Sequence, residues 1–175
     1  MAGAVGAAAA GLLRRAVAAV AAALRWSLIA AVAVMVACIG LQVVMRYAFG
    51  RALSWTEELA LLMFAWSTLG GLALGVREGF HVRLTALLDP LPPALRRAAD
   101  AAIDLLTAAL GFYLLWSGWR YVDITAGATS AAVGYPIELL HGLSPVAGAL
   151  MLVFAAERAV LGAHDVSLAA GDAPP

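Results

Sequence analysis

Apolar residues run along this chain in long blocks, and charged residues mark where each block ends. One uncharged run separates Arg25 from Arg46, and a second separates Glu58 from Arg77. A third lies between Arg97 and Arg120, interrupted early by Asp100 and Asp104. The fourth lies between Glu138 and Glu157, with His141 near its start. Each run is about 18–22 residues, the length of helix that crosses a hydrocarbon core of about 30 Å. Inside lipid the backbone must satisfy its own hydrogen bonds, which leaves helices or closed barrels, and no alternating barrel strands are visible. The pattern predicts an all-α integral membrane fold with four transmembrane helices, at about residues 26–46, 59–76, 98–119 and 139–157 of a membrane domain spanning 25–161.

The two ends read differently. Arg14-Arg15 followed by an Ala-rich stretch to Leu24 resembles a weak signal peptide or a twin-arginine leader. Its apolar part is short and Arg25 follows it directly, so residues 1–24 are expected to be a cytoplasmic helical lead-in to the first span. The tail at 162–175 is rich in Ala, Gly, Asp and Pro and is expected to be disordered.

Composition agrees with the membrane reading. Of 175 residues, 64% are hydrophobic and 13% charged, with mean hydropathy +0.93. A soluble domain carries roughly 25% charged residues, and a disordered chain is poor in apolar ones. The 11 basic residues, all Arg, balance 11 acidic ones, and no block of like charge invites nucleic acid.

The chemistry of known membrane enzymes is missing. Cys38 is the only cysteine, so a disulfide framework and a thiolate metal cluster are both excluded. His81, His141 and His164 all fall outside the span centres, which excludes axial ligation of a haem within the bundle. His-Glu-x-x-His and Gly-x-Ser-x-Gly do not occur. The expectation is a chain that is not an enzyme and holds no cofactor or metal. No span carries an ionisable residue at its centre, where proton relays and ion pathways place them. Such a chain is not expected to transport anything alone.

Orientation follows from the arginines. Arg14, Arg15 and Arg25 precede the first span, and Arg77, Arg83, Arg96 and Arg97 lie between the second and third. The opposite side receives Arg46, Arg51 and Arg120. The positive-inside rule then places both termini in the cytoplasm. Tyr47, Trp55, Trp116, Trp119, Tyr121 and Tyr135 would line the outer interface, with Trp26 at the inner one.

Within the spans, Gly71 and Gly75 sit four apart and would leave a groove on one helix face for another helix, within this chain or in another subunit. Pro145 removes a backbone hydrogen bond and is expected to kink the fourth span near Ser144.

The segment from Arg46 to Arg83 is the most distinctive. Ser54 or Thr56 is placed to cap the second helix, with Glu57 and Glu58 in its first turn, where the helix dipole favours acids. Trp55 would fix the depth of that end. Arg46 and Arg51 lie one short loop away, so an Arg–Glu pair is expected to order the turn, within the chain or across to a partner. After the second span comes Arg77-Glu78-Gly79-Phe80-His81-Val82-Arg83.

These residues, with Thr129-Ser130-Ala131, Tyr135-Pro136 and Pro145, resemble the small membrane subunit of TRAP (tripartite ATP-independent periplasmic) transporters, of the DctQ type. The resemblance runs roughly from Leu24 to Arg158. Two positions depart from the family pattern: Leu84-Thr85 follows the His81 motif where Val-Asp is usual, and Glu138 stands where an aromatic or apolar residue is more common. The resemblance implies a multi-pass protein of the bacterial inner membrane, set among membrane lipids. It would pack on a large TRAP membrane subunit that carries an organic acid and coupling ions, and would meet a periplasmic substrate-binding protein transiently. Arg46, Trp55, Glu57, Glu58, Gly71, Gly75, Arg77, His81 and Arg83 are then candidates for subunit contacts. The alternative is a membrane anchor or assembly subunit of another complex, which shares the profile of four helices and no active site.

Overall fold

The computed structural model describes residues 2–78 and 92–161. His81, Arg83 and the 162–175 tail lie outside the described residues.

Among the described residues, four helices are long and apolar enough to cross a membrane. Helix α1 runs unbroken over Ala2–Phe49, 48 residues, or about 72 Å at 1.5 Å per residue. It is far longer than one crossing needs. Gly50, with φ +63°, ends it in the left-handed conformation that glycine adopts without steric cost. Helix α2 covers Ser54–Glu78 and α3 covers Pro93–Thr125. Proline opens α3, at positions where a missing amide N–H costs no helical bond. The fourth crossing is assembled from a short α4, Glu138–His141, and α5, Leu143–Leu161.

The interruption between α4 and α5 falls at Gly142, slightly upstream of the kink expected at Ser144. Pro145 offers no N–H to the His141 carbonyl four residues earlier, and its ring crowds that carbonyl. The disturbance therefore appears one turn before the proline.

The helices pack in a row. α1 lies on α2, α2 on α5, and α5 on α3, while α1 touches α5 only marginally. The inner members supply most of the buried core, with Ala73 of α2 and Ala147, Met151 and Phe154 of α5 almost completely enclosed. The outer members keep broad apolar surface uncovered, with one clear stripe on each. On α1 it is Val32, Val36, Ile39 and Val43, and on α3 it is Leu105, Phe112, Trp116 and Trp119. Those spacings put each set on one helix face.

Glycine sets the closest approach. A Cβ at Gly148 would lie 2.5 Å from the Leu115 nitrogen and 2.6 Å from the Gly111 oxygen, so the α3 and α5 backbones meet there. At Gly118 the obstacle would be Pro145, whose ring lies 2.6 Å away. Small residues at helix contacts supply this intimate van der Waals packing, which must replace the hydrophobic effect inside lipid. The glycine seam of this chain is Gly111, Gly118 and Gly148. Gly70 meets Leu24 and Leu28 of α1, whereas nothing lies within 4 Å of a Cβ at Gly71.

Candidate functional site: two polar layers

Polar contacts gather in two layers at opposite ends of the row. Between them the helices carry about 16–19 residues each, or about 24–28 Å of apolar rod at 1.5 Å per residue. The main interruption is a hydrogen bond of 3.1 Å from the Trp66 indole N–H to the Ser27 hydroxyl, which ties α1 to α2.

The first layer pairs charges with charges. Arg77 near the end of α2 donates its Nε to Glu157 of α5 at 3.0 Å, and both side chains are buried, 8% and 3% exposed. The next residue, Arg158, donates to the Val76 carbonyl at 3.0 Å and pairs with Asp104 of α3 at 3.3 Å. Arg25 of α1 pairs with Glu78 at 2.5 Å in a more open setting, 43% and 22% exposed. Three arginines and three carboxylates thus bind all four long helices at one level. Buried charges persist only when paired, so each partner is needed for the other.

The second layer pairs carboxylates with neutral donors. Glu57 accepts a hydrogen bond from the Gln42 side chain of α1. Glu58 accepts two backbone N–H groups from the loop before α4, Ala132 at 2.7 Å on one oxygen and Val133 at 2.9 Å on the other. That loop folds into a small hairpin. Thr129 bridges Pro136, and N–H groups of Ser130 and Ile137 donate to the carbonyls of Tyr135 and Ala128, both at 2.9 Å. Gly127 and Gly134 turn it with φ +83° and +76°. Burial, and then the nearby Glu58 charge, hold the Tyr135 phenol above its ordinary pKa.

Glu138 accepts the Gly127 N–H at 2.6 Å, tying the loop to α4 as well. Its neighbour His141 shares a 2.8 Å hydrogen bond between Nδ1 and the Thr125 hydroxyl and stacks obliquely on Tyr121, 4.4 Å between centroids. Arg120 lies over Trp116 at 5.4 Å, a cation–π contact suited to an interface. Trp55 and Tyr47 are exposed at the same end, and Trp26 is exposed at the other.

Several sequence expectations meet a different geometry. Glu57 and Glu58 form no ion pair with Arg46 or Arg51 among the described residues, and both arginines are exposed. The acids instead reach Gln42 across the helix pair and the amides of the loop before α4. The Thr56 hydroxyl donates backwards to the Leu53 carbonyl at 2.7 Å, so it does not cap helical N–H groups, and the residue is fully buried. Gly71 and Gly75 are both half-buried, and nothing in this chain lies within 4 Å of a Cβ at Gly71. Of the nine candidates, Glu57 and Glu58 share the second layer with Arg46 and Trp55 nearby, and Arg77 belongs to the first.

Gln42, Asp104, Glu157 and Arg158 were missed as contact residues. The signal for three of them was present: once four crossings are drawn, Arg77, Asp104, Glu157 and Arg158 all fall at one membrane face. Gln42 gave no such signal. Among the described residues, no three of His, Cys, Asp and Glu gather as a metal site would require.

The profile of the DctQ component of tripartite ATP-independent periplasmic transporters matches residues 35–164. The chain belongs to the DctQ family. It is 32% identical over 106 residues to the ectoine TRAP transporter small permease protein TeaB of Halomonas elongata, covering 59% of this chain and 55% of that one. It is 33% identical over 79 residues to the C4-dicarboxylate TRAP transporter small permease protein DctQ of Vibrio cholerae, covering 45% and 34%. A third relative is the sialic acid TRAP transporter permease protein SiaT of Haemophilus influenzae, 29% identical over 103 residues, 59% of this chain and only 15% of that one. The matched stretch spans about half the ectoine relative and a third of the Vibrio one. Family and apolar helices together make this DctQ-family chain a multi-pass protein of the bacterial inner membrane.

Proposed function

We propose that this chain is the small, non-catalytic membrane subunit of a TRAP-type secondary transporter that imports an organic acid. The observation that carries the reading is the row of helices. The outer helices leave broad apolar faces open, and the apolar middle holds no charged side chain among the described residues. A transport pathway needs midplane polar groups or broken helices around a cavity. A scaffold needs a stiff slab with a face to offer. The partner is a large membrane subunit carrying the substrate path, and a periplasmic binding protein delivers the acid. The match to a small fraction of the longer sialic acid permease supports an intimate association of this kind. The same reading sets both termini in the cytoplasm, the charge-paired layer at the cytoplasmic face and the Glu58 loop at the periplasmic face, in keeping with the arginine bias. Residues 1–24 then lead α1 out of the cytoplasm, and Arg46, Trp55, Gly71, Gly75, His81 and Arg83 are contact candidates.

Three experiments test this. Reporter fusions after Gly127 are expected to read periplasmic and fusions after Leu91 cytoplasmic; the reverse overturns the orientation. Deleting the gene is expected to abolish uptake of an organic acid, and affinity purification of the chain to bring down a larger multi-span protein. Unchanged uptake of every organic acid tested overturns the function.

A further inference from the structure

The hairpin between α3 and α4 commits four consecutive backbone N–H groups to two acceptors. Ala132 and Val133 donate to the two oxygens of Glu58, at 2.7 and 2.9 Å. Gly134 and Tyr135 donate to the Ser130 hydroxyl, at 3.0 and 3.3 Å. Gly134, at φ +76°, supplies the left-handed step that lets successive amides converge. Converging amides of this kind form a nest, a concavity of partial positive charge that accepts anions.

We propose that Ser130–Tyr135 is a carboxylate-binding nest in which Glu58 is the resident ligand. Two features favour a carboxylate over a spherical anion, and a third makes the nest independent of its ligand. The two amides address two separate oxygens about one carboxylate apart, as in a bidentate fork. The neighbouring amides of Gly134 and Tyr135 are already satisfied by Ser130, while the Ser130 side chain and the Ala131 backbone also act on Glu58, so an acceptor with two oxygens and several lone pairs fits the nest. The resident group arrives from 74 residues earlier in the chain, on a different helix, so the hairpin does not depend on it for its own ladder bonds. The contact is exposed, which leaves the nest open to exchange from solution. Glu58 thereby sets the position of the hairpin on α2, and a small carboxylate can take its place when the side chain is removed. This inference stands apart from the transport reading, since it concerns a local anion site and its resident ligand.

The test is amide hydrogen exchange on the full-length protein in lipid nanodiscs, following the peptide that covers 129–137. In Glu58→Ala, exchange at Ala132 and Val133 is expected to accelerate roughly ten- to hundredfold, as for loss of a charged acceptor. Sodium acetate at constant pH is expected to restore protection, and sodium chloride at equal ionic strength is not. Undiminished protection in Glu58→Ala, or equal responses to acetate and chloride, overturns the proposal. Peptides from α2 and α5 report whether the variant keeps its fold. If they too lose protection, Glu58→Gln is measured in its place: it keeps one acceptor oxygen and is expected to show intermediate exchange that acetate slows, and wild-type exchange or no acetate response again overturns the proposal.

Discussion

The two polar layers of this protein use the same residue types in opposite ways. Near Arg77 and Glu157, charge meets charge, and the side chains are buried between packed helices. Near Glu57 and Glu58, carboxylates meet an amide side chain and backbone N–H groups at an exposed helix start. The difference is one of solvent. A buried arginine must be neutralised by a partner charge, because neutral donors cannot offset the loss of hydration. An exposed carboxylate has water on one side and gains most from donors whose geometry is already fixed by a turn or helix. One layer therefore locks helices together, and the other positions a loop.

Breaking the buried layer should have the largest effect. Glu157→Gln leaves Arg77 buried without a counter-charge and is expected to cost about 3–5 kcal/mol. Thermal unfolding in detergent would read this as a large fall in midpoint, with little change between low and high salt. Replacing both partners with apolar residues of similar volume should recover much of the loss.

Between the layers, the contrast becomes one between glycines. Gly148→Ala must push the α3 and α5 backbones apart, and is expected to cost about 1–3 kcal/mol, typical of overpacking. The same unfolding assay checks it. Gly148→Ala that melts with wild type would show that the two backbones are not in contact.

At the open edge of the charged layer, Arg25→Ala removes a pair in which Arg25 is 43% exposed. Solvent screening leaves it about 0–1 kcal/mol, and that small difference should vanish in high salt. A loss as large as that of Glu157→Gln would erase the distinction between the pairs.

The smallest effect is expected at Gly71, whose surroundings are empty within this chain. Gly71→Ala should leave the melting of the isolated chain unchanged or raise it by about 1 kcal/mol or less through helix propensity. Its informative readout is co-purification with the large subunit, where a bulkier Gly71→Leu should weaken recovery if that face is covered in the complex.

Four crossings were legible in the sequence because charge is so costly in lipid that span ends announce themselves. The role of Arg77 was only half legible. Its position near a span end was plain, but pairing requires knowing that α2 lies beside α5, and tertiary order is not written in a local pattern. The partners of the acidic pair at 57–58 within the chain were not legible for a related reason. Proximity in sequence favoured Arg46 and Arg51, whereas the partners come from Gln42 across the helix pair and from a loop 74 residues away. Glycine was half legible in the same manner: Gly71 and Gly75 have the recognised spacing, yet the seam inside this chain uses Gly111, Gly118 and Gly148. Spacing within one helix says that a groove exists and not what fills it.

Reconstitution tests the central claim most directly. The chain and its proposed large partner are purified separately, placed in proteoliposomes alone and together, and supplied with a substrate-loaded binding protein and a sodium gradient. The account predicts uptake of the organic acid only when both membrane subunits are present, and none with this chain alone. Solute uptake by this chain by itself, or full-rate uptake by the large subunit without it, would contradict the reading of a necessary but non-transporting scaffold.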